Sequence, residues 1–183
     1  MARAAQSDLA VLAVLSVRPM TGYAVREAIR DQLGHFWSES FGQIYPTLAK
    51  LATEGLVERV PSSRAASSAY QLTDDGRVRL SELLRAPVES TPPRNGLMLR
   101  LFFGHTLGTD AARALLIDAR DAAQTQLRLF AGLRVLAADE TARGMHTEHW
   151  PWWLMTISAA EHGSRAVVAW ADESLAALPL TDG

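Results

Sequence analysis

Apolar residues fall along this chain in helically spaced runs over most of its length and in short strand-like runs at one place. Leu9–Val17 is apolar on every side, which predicts a helix buried between neighbours, capped by Ser7-Asp8 and ended by Pro19. Val25, Ala28, Ile29 and Leu33 make the buried face of a second helix, capped by Thr21 and stopped by Gly34, with Arg26, Glu27 and Arg30 on its other side. Phe36 and Trp37 read as packing residues under the next turn. Ser40-Phe41-Gly42-Gln43 then has the Ser-x-x-Gln spacing of a capping box, and Ile44, Leu48 and Leu51 recur at i, i+4 and i+7 before Gly55 closes the row. A helix over 41–55 follows, with Gln43, Pro46, Thr47, Lys50 and Glu54 as its outward stripe. Leu56–Val60 and Ala69–Leu72 are short runs of strand formers separated by a polar tip, 61–68, and Thr73 caps a fourth helix with Asp74 and Asp75 in its first turn.

The order helix, helix, helix, strand, strand, helix is complete by residue 85. Ala86–Gly96 holds three prolines and Asn95-Gly96, which marks a linker. Beyond it the pattern is helical throughout: a short apolar helix over 97–107, and a long one from Thr109-Asp110 with the stripe Leu116, Ala119, Ala123, Leu127, Phe130, Leu133 and Ala137. Residues 139–147 break that pattern. A final helix from Trp150 to about Leu178 carries Trp153, Ile157, Ala160, Ser164, Val167, Ala171, Leu175 and Leu178 on one stripe. The expectation is a mainly α chain with an N-terminal winged helix-turn-helix domain, 1–86, a linker, 87–96, and a C-terminal helical domain, 97–183. Two long helices with no third layer of their own are expected to pair with the same helices of another subunit, giving a homodimer.

Composition narrows this picture more than it adds to it. At 48% hydrophobic and 21% charged residues the chain is an ordinary globular one. It has no cysteine, which removes disulfides, thiolate chemistry and Cys-ligated zinc and fits a cytoplasmic location. Leu9–Val17 is too short to span a bilayer and lacks the flanks of a cleaved signal. Residues 1–86 carry ten Lys or Arg against nine Asp or Glu, and residues 87–183 eight against eleven, so the basic bias of the first domain is slight. A DNA reader with this balance must concentrate its positive field locally and double it by dimerising.

The outward stripe of helix 41–55 offers an amide, a hydroxyl and an ammonium, groups that reach base edges or phosphates when a helix lies in the major groove, while an acid-free hairpin tip touches the neighbouring backbone. His146-Thr147-Glu148-His149, with His162, has metal-ligand residue types but not the helix-face geometry of zinc sites, and reads as a polar hinge with no metal. No phosphate loop, nucleophile elbow or His-Glu-x-x-His motif is present, so an enzyme is not expected, and no cofactor is implied. Four of the five tryptophans lie at or in the last helix, where Trp150, Trp153, Ile157, Val167 and Trp170 read as dimer-interface packing or as the lining of an effector pocket.

Thr21-Gly22-Tyr23, Gly42-Gln43-Ile44-Tyr45-Pro46-Thr47-Leu48, Glu54-Gly55-Leu56-Val57 and Ala69-Tyr70-Gln71-Leu72-Thr73 together resemble the PadR family of winged-helix transcriptional regulators. Glu161-His162-Gly163 and Ala169-Trp170-Ala171-Asp172-Glu173 resemble the longer type, with a virulence-activator-like helical tail. The resemblance implies a dimeric repressor that binds double-stranded DNA at an inverted-repeat operator and releases it on binding a small, often aromatic effector. It also implies DNA contacts at Gln43, Tyr45, Thr47 and Lys50 and at Ser62, Ser63, Arg64, Ser67 and Ser68 of the wing, with Tyr23 contacting the backbone. The competing expectation is a small-molecule sensor or protein-interaction module whose first domain no longer grips DNA.

Overall fold

A computed structural model describes residues 2–37, 41–61, 68–88 and 95–179. The chain forms two compact units, Met1–Thr91 and Pro92–Gly183.

In the first unit, helix α1 (Ala2–Val17) is the post around which the others stand, packing on α2 (Gly22–Ala28), α3 (Phe41–Thr53) and α4 (Asp74–Arg85). Its Ala10, Val11, Leu12, Val14 and Leu15 are all buried, as an all-round apolar helix requires. Ser7 and Asp8 do not cap it. The alanine-rich start, with alanine the strongest helix former, carries the helix back to Ala2, so both residues lie inside it and are buried. Thr21 does cap α2, accepting from the Ala24 N–H at 3.2 Å. The helix then widens into a π-helical stretch, Ile29–Leu33, and ends at Gly34. Val25, Ala28 and Ile29 face the core as their spacing predicts. Trp37 packs against that core, whereas Phe36 is 55% exposed and meets only the edge of His35 among the ring contacts, so it is not a packing residue.

Helix α3 buries Ile44, Leu48 and Leu51 and ends at Gly55, whose φ of +72° is the left-handed conformation open to glycine. The Leu56 N–H bonds back to the Leu51 carbonyl at 2.9 Å, closing the helix end. Ser40, the proposed cap, lies outside the described residues. Strands β2 (Val57–Pro61) and β3 (Ser68–Leu72) pair antiparallel, Val57 opposite Leu72 and Val60 opposite Ala69. A third strand of two residues, β1 (Met20–Thr21), joins the far edge of β3 in the order β1-β3-β2; two residues leave no periodicity to read. Thr73 caps α4 through the Gly76 N–H at 3.0 Å and donates from the same hydroxyl to the Gly55 carbonyl at 2.7 Å. Gly76 is required by proximity: a Cβ there would lie 2.0 Å from the Leu56 carbonyl oxygen.

The second unit is helical. The apolar run 97–107 is not one helix: α5 (Gly96–Phe102), capped by the Asn95 side chain, breaks at Phe103 and is followed by a single turn, α6 (Gly104–Leu107). The two long helices, α7 (Thr109–Ala142) and α8 (Trp150–Ala177), lie against each other. Arg120 meets Asp172, Arg134 meets Glu161 and Glu140 meets Trp150, a descending series that makes the pair antiparallel. Of the predicted α7 stripe, Leu116, Ala123, Phe130 and Ala137 are buried and Ala119, Leu127 and Leu133 half-buried; Ala112 is buried as well, and α7 runs three residues past Asp139. No helix of the described residues is long and apolar enough to cross a membrane.

Candidate nucleic-acid interface

At about 100° per residue, Ile44, Leu48 and Leu51 share one arc of α3, Gln43, Pro46, Lys50 and Glu54 share another, and Thr47 falls at the border between them. Thr47 is only 7% exposed, and its place in the outward stripe is corrected: its hydroxyl made it look like a surface residue, but it is buried on the core side of that border. Gln43 is exposed. Tyr45 projects from the flank of α3 and is 53% exposed; its ring lies across Gly22, where an added Cβ would come within 2.7 Å of Cε1. Tyr23, next along α2, is 60% exposed. The absence of a side chain at Gly22 therefore lets the Tyr45 ring of α3 lie against the start of α2. Pro46 lies inside α3 and removes the hydrogen bond that its N–H would have made to the Gly42 carbonyl.

Lys50 is not a free cation. Its Nζ donates to Asp8 Oδ2 of α1 at 2.6 Å, and Glu54 lies 3.9 Å away one turn on. Sequence reasoning missed this pair because its members are 42 residues apart. On the wing, Ser68 is exposed at the start of β3, while Ser62, Ser63, Arg64 and Ser67 lie outside the described residues. Arg59 on β2 is exposed and sits over the Tyr70 ring at 5.5 Å, next to an open groove between α3 and β2 that Ala49, Ala52, Thr53, Glu58 and Arg59 help to line.

In the second unit the five interface or effector residues separate. Trp150 and Ile157 are buried against α7, the Trp150 indole N–H donating to Glu140 at 3.2 Å; Trp153 and Trp170 are half-buried, and Val167 is exposed because its angle carries it off the Ile157–Ala171 stripe. Trp153 instead stacks on His149 with centroids 5.2 Å apart and lies 5.7 Å from His146, so the hinge histidines pack around it. Among the described residues no group of three His, Asp or Glu is placed to hold a metal. Glu161, 6% exposed, takes two bonds from Arg134 at 2.8 and 2.9 Å and one from Arg165 at 3.4 Å. The Arg134 hydrogen bonds, opposed by desolvation and aided by the charges of both guanidiniums, hold its carboxyl below the usual carboxylate range.

Residues 11–82 match the Transcriptional regulator PadR-like family, and residues 93–179 match Virulence activator alpha C-term. The chain is 30% identical over 123 residues to the Negative transcriptional regulator PadR of Bacillus subtilis, covering 64% of this chain and 67% of that one. It belongs to the PadR-like family of transcriptional regulators. PadR-like proteins are DNA-binding regulators and not enzymes. The PadR-like fold is matched closely by Bacillus subtilis PadR in complex with operator DNA, with a TM-score of 0.77 at 25% identity over 94% of this chain and 97% of that one. Bacillus subtilis PadR in complex with p-coumaric acid matches it in fold with a TM-score of 0.68 at 24% identity, over 92% and 96% of the two chains. The segments that carry the PadR-like resemblance include Gly22, Gln43 and Tyr45, and the structure gives each a physical place: a gap for a ring, an exposed amide and an exposed phenol.

Proposed function

We propose that this PadR-like protein is a dimeric, sequence-specific repressor of the cytoplasm, with residues 1–86 reading DNA, 97–183 forming the dimer and 87–96 linking them. The observation that carries the reading is the exposure of Gln43 and Tyr45 on α3 and of Tyr23 at the start of α2. In this reading α3 enters the major groove, where a glutamine amide pairs bidentately with adenine and a phenol reaches a base edge or phosphate. The wing, Ser62, Ser63, Arg64, Ser67 and Ser68, lies along the flanking backbone, while Lys50 stays on Asp8. Two-fold symmetry gives an inverted-repeat operator with half-sites about 10–10.5 base pairs apart.

The dimer is supported by the large apolar residues that the second unit leaves uncovered, among them Leu99, Phe102, Leu129 and Trp152. Because Bacillus subtilis PadR has been solved with p-coumaric acid, a small aromatic effector is the proposed release signal, with Trp153 and Trp170 as contacts to test first. Selection of bound duplexes from a random pool, followed by band shift on the enriched site, tests the reading. Absence of any enriched sequence, with no shift of the protein's own promoter region at low salt, overturns it.

The Asp8–Lys50 pair favours one alternative, in which the first unit no longer grips DNA and the second is a small-molecule sensor or interaction module. Tryptophan fluorescence titration with phenolic compounds separates the two: ligand binding without DNA binding selects the alternative.

A further inference from the structure

Lys50 is the one cation in α3, and it lies between two carboxylates of its own chain. The two are not equivalent. The Glu54 side chain is 45% exposed and 3.9 Å away, a loose pair on the same helix. The Asp8 side chain is 11% exposed, inside α1, and takes the Lys50 ammonium at 2.6 Å. A carboxylate buried that far needs the pairing to offset its lost water, and although the ammonium has three N–H donors, its position is fixed on α1 and its charge is offset by that of Asp8.

We infer that Asp8 is a positioning residue for recognition: it holds Lys50 on α1 and so withholds the charge of the reading helix from DNA phosphates. Attraction to any duplex scales with the number of phosphates that Lys and Arg neutralise, irrespective of sequence. A reading helix whose cation is held internally contributes little to that indiscriminate attraction. Discrimination then rests on Gln43 and Tyr45, which offer hydrogen bonds and no charge. The slight basic bias of residues 1–86 belongs to the same arrangement.

The inference rests on the DNA-binding reading above, and its test needs no operator. Binding to a random-sequence 30-base-pair duplex is followed by fluorescence anisotropy across a salt series for the wild type, Asp8→Asn, Lys50→Met and the double variant. Lys50→Met is expected to leave the slope of log Kd against log salt unchanged. Asp8→Asn is expected to tighten binding and steepen the slope by about 0.9 for each Lys50 that engages a phosphate. The double variant should return to the Lys50→Met slope, which separates release of Lys50 from the general effect of removing a negative charge. A slope that falls by about 0.9 in Lys50→Met, or a gain in Asp8→Asn that survives in the double variant, overturns the inference. Thermal melting monitors folding, and if Asp8→Asn does not fold, the Lys50→Met slope decides alone. Should the wild type bind no duplex at any salt, the DNA-binding reading fails; an Asp8→Asn variant that then binds still upholds the role of Asp8, and one that stays inert overturns both.

Discussion

In the winged unit Val11, Leu12, Val25, Leu48 and Leu51 are at most 1% exposed, although Val78, Leu84 and Val88 stand exposed along with the phenols Tyr23 and Tyr45. In the helical unit Phe130 is buried as deeply, yet Leu99, Phe102, Leu129, Val135, Trp152 and Met155 stand more than half exposed, without polar tips on all but the tryptophan. The first unit closes a core of its own from three sides, helices and a sheet around α1. The second is a two-helix layer with a broken helix before it, and one layer of that kind can bury only one stripe of each helix. A single chain therefore contains one half that closes a core of its own and one half that leaves a run of large apolar side chains uncovered.

The sharpest way to break this contrast is Leu51→Ala, which empties a fully buried site in α3 and should cost the first unit about 2–5 kcal/mol. Calorimetry is expected to show the transition of that unit moving down while the helical unit's stays in place; a single shifted transition would mean that the units do not melt separately. Next in size, Phe102→Lys with Leu129→Lys should convert a dimer to monomers in size-exclusion light scattering, since both side chains are exposed and neither change empties the core. Retention of the dimer would place its interface elsewhere.

Arg134→Ala should have a smaller, pH-dependent effect. The carboxyl of Glu161 is held below its ordinary range, chiefly by hydrogen bonds from Arg134. Its contribution is therefore complete above the unfolded value, about 4.3, and is lost as pH falls through the lower folded value. The variant's helical circular dichroism should collapse at a higher pH than the wild type's on acidification, and coincident curves would show that the pair does not couple to folding. The smallest expected effect is that of Gly22→Ala. The added methyl meets first the movable edge of Tyr45 and then Leu48 Cδ1 at 3.4 Å, so melting should change by about 1 kcal/mol while DNA affinity falls several-fold as the ring is displaced.

Much of this fold was legible because period and punctuation agree. The α7 stripe from Leu116 to Ala137, the caps at Thr21 and Thr73 and the stop at Gly55 are local signals, and the backbone follows them. Thr47 misled because its angle lies at the border of the buried and exposed arcs, where the hydroxyl pointed to the exposed one and the tertiary packing chose the other. Ser7-Asp8 misled because it has the composition of a cap, whereas the preceding alanines extend the helix past it. The short strand Met20–Thr21, the π-helical turn and the Asp8–Lys50 pair left no local trace, since each is fixed by something distant in sequence. For the candidate site this meant that the exposed residues Gln43 and Tyr45 could be picked out, but not the state of the charge beside them.

The hydroxyl of Thr73 has a consequence for reshaping the protein. By joining the end of α3 to the start of α4, with the Thr73 N–H also bonded to the Leu56 carbonyl at 3.2 Å, it ties the two strands together at their root. The cost of closing the connection between Pro61 and Ser68 then grows only logarithmically with its length, by about 0.6 kcal/mol for each doubling. The connection after Pro61 is thus a natural graft point, where a longer loop can be installed at small cost while the hairpin below it stays as it is.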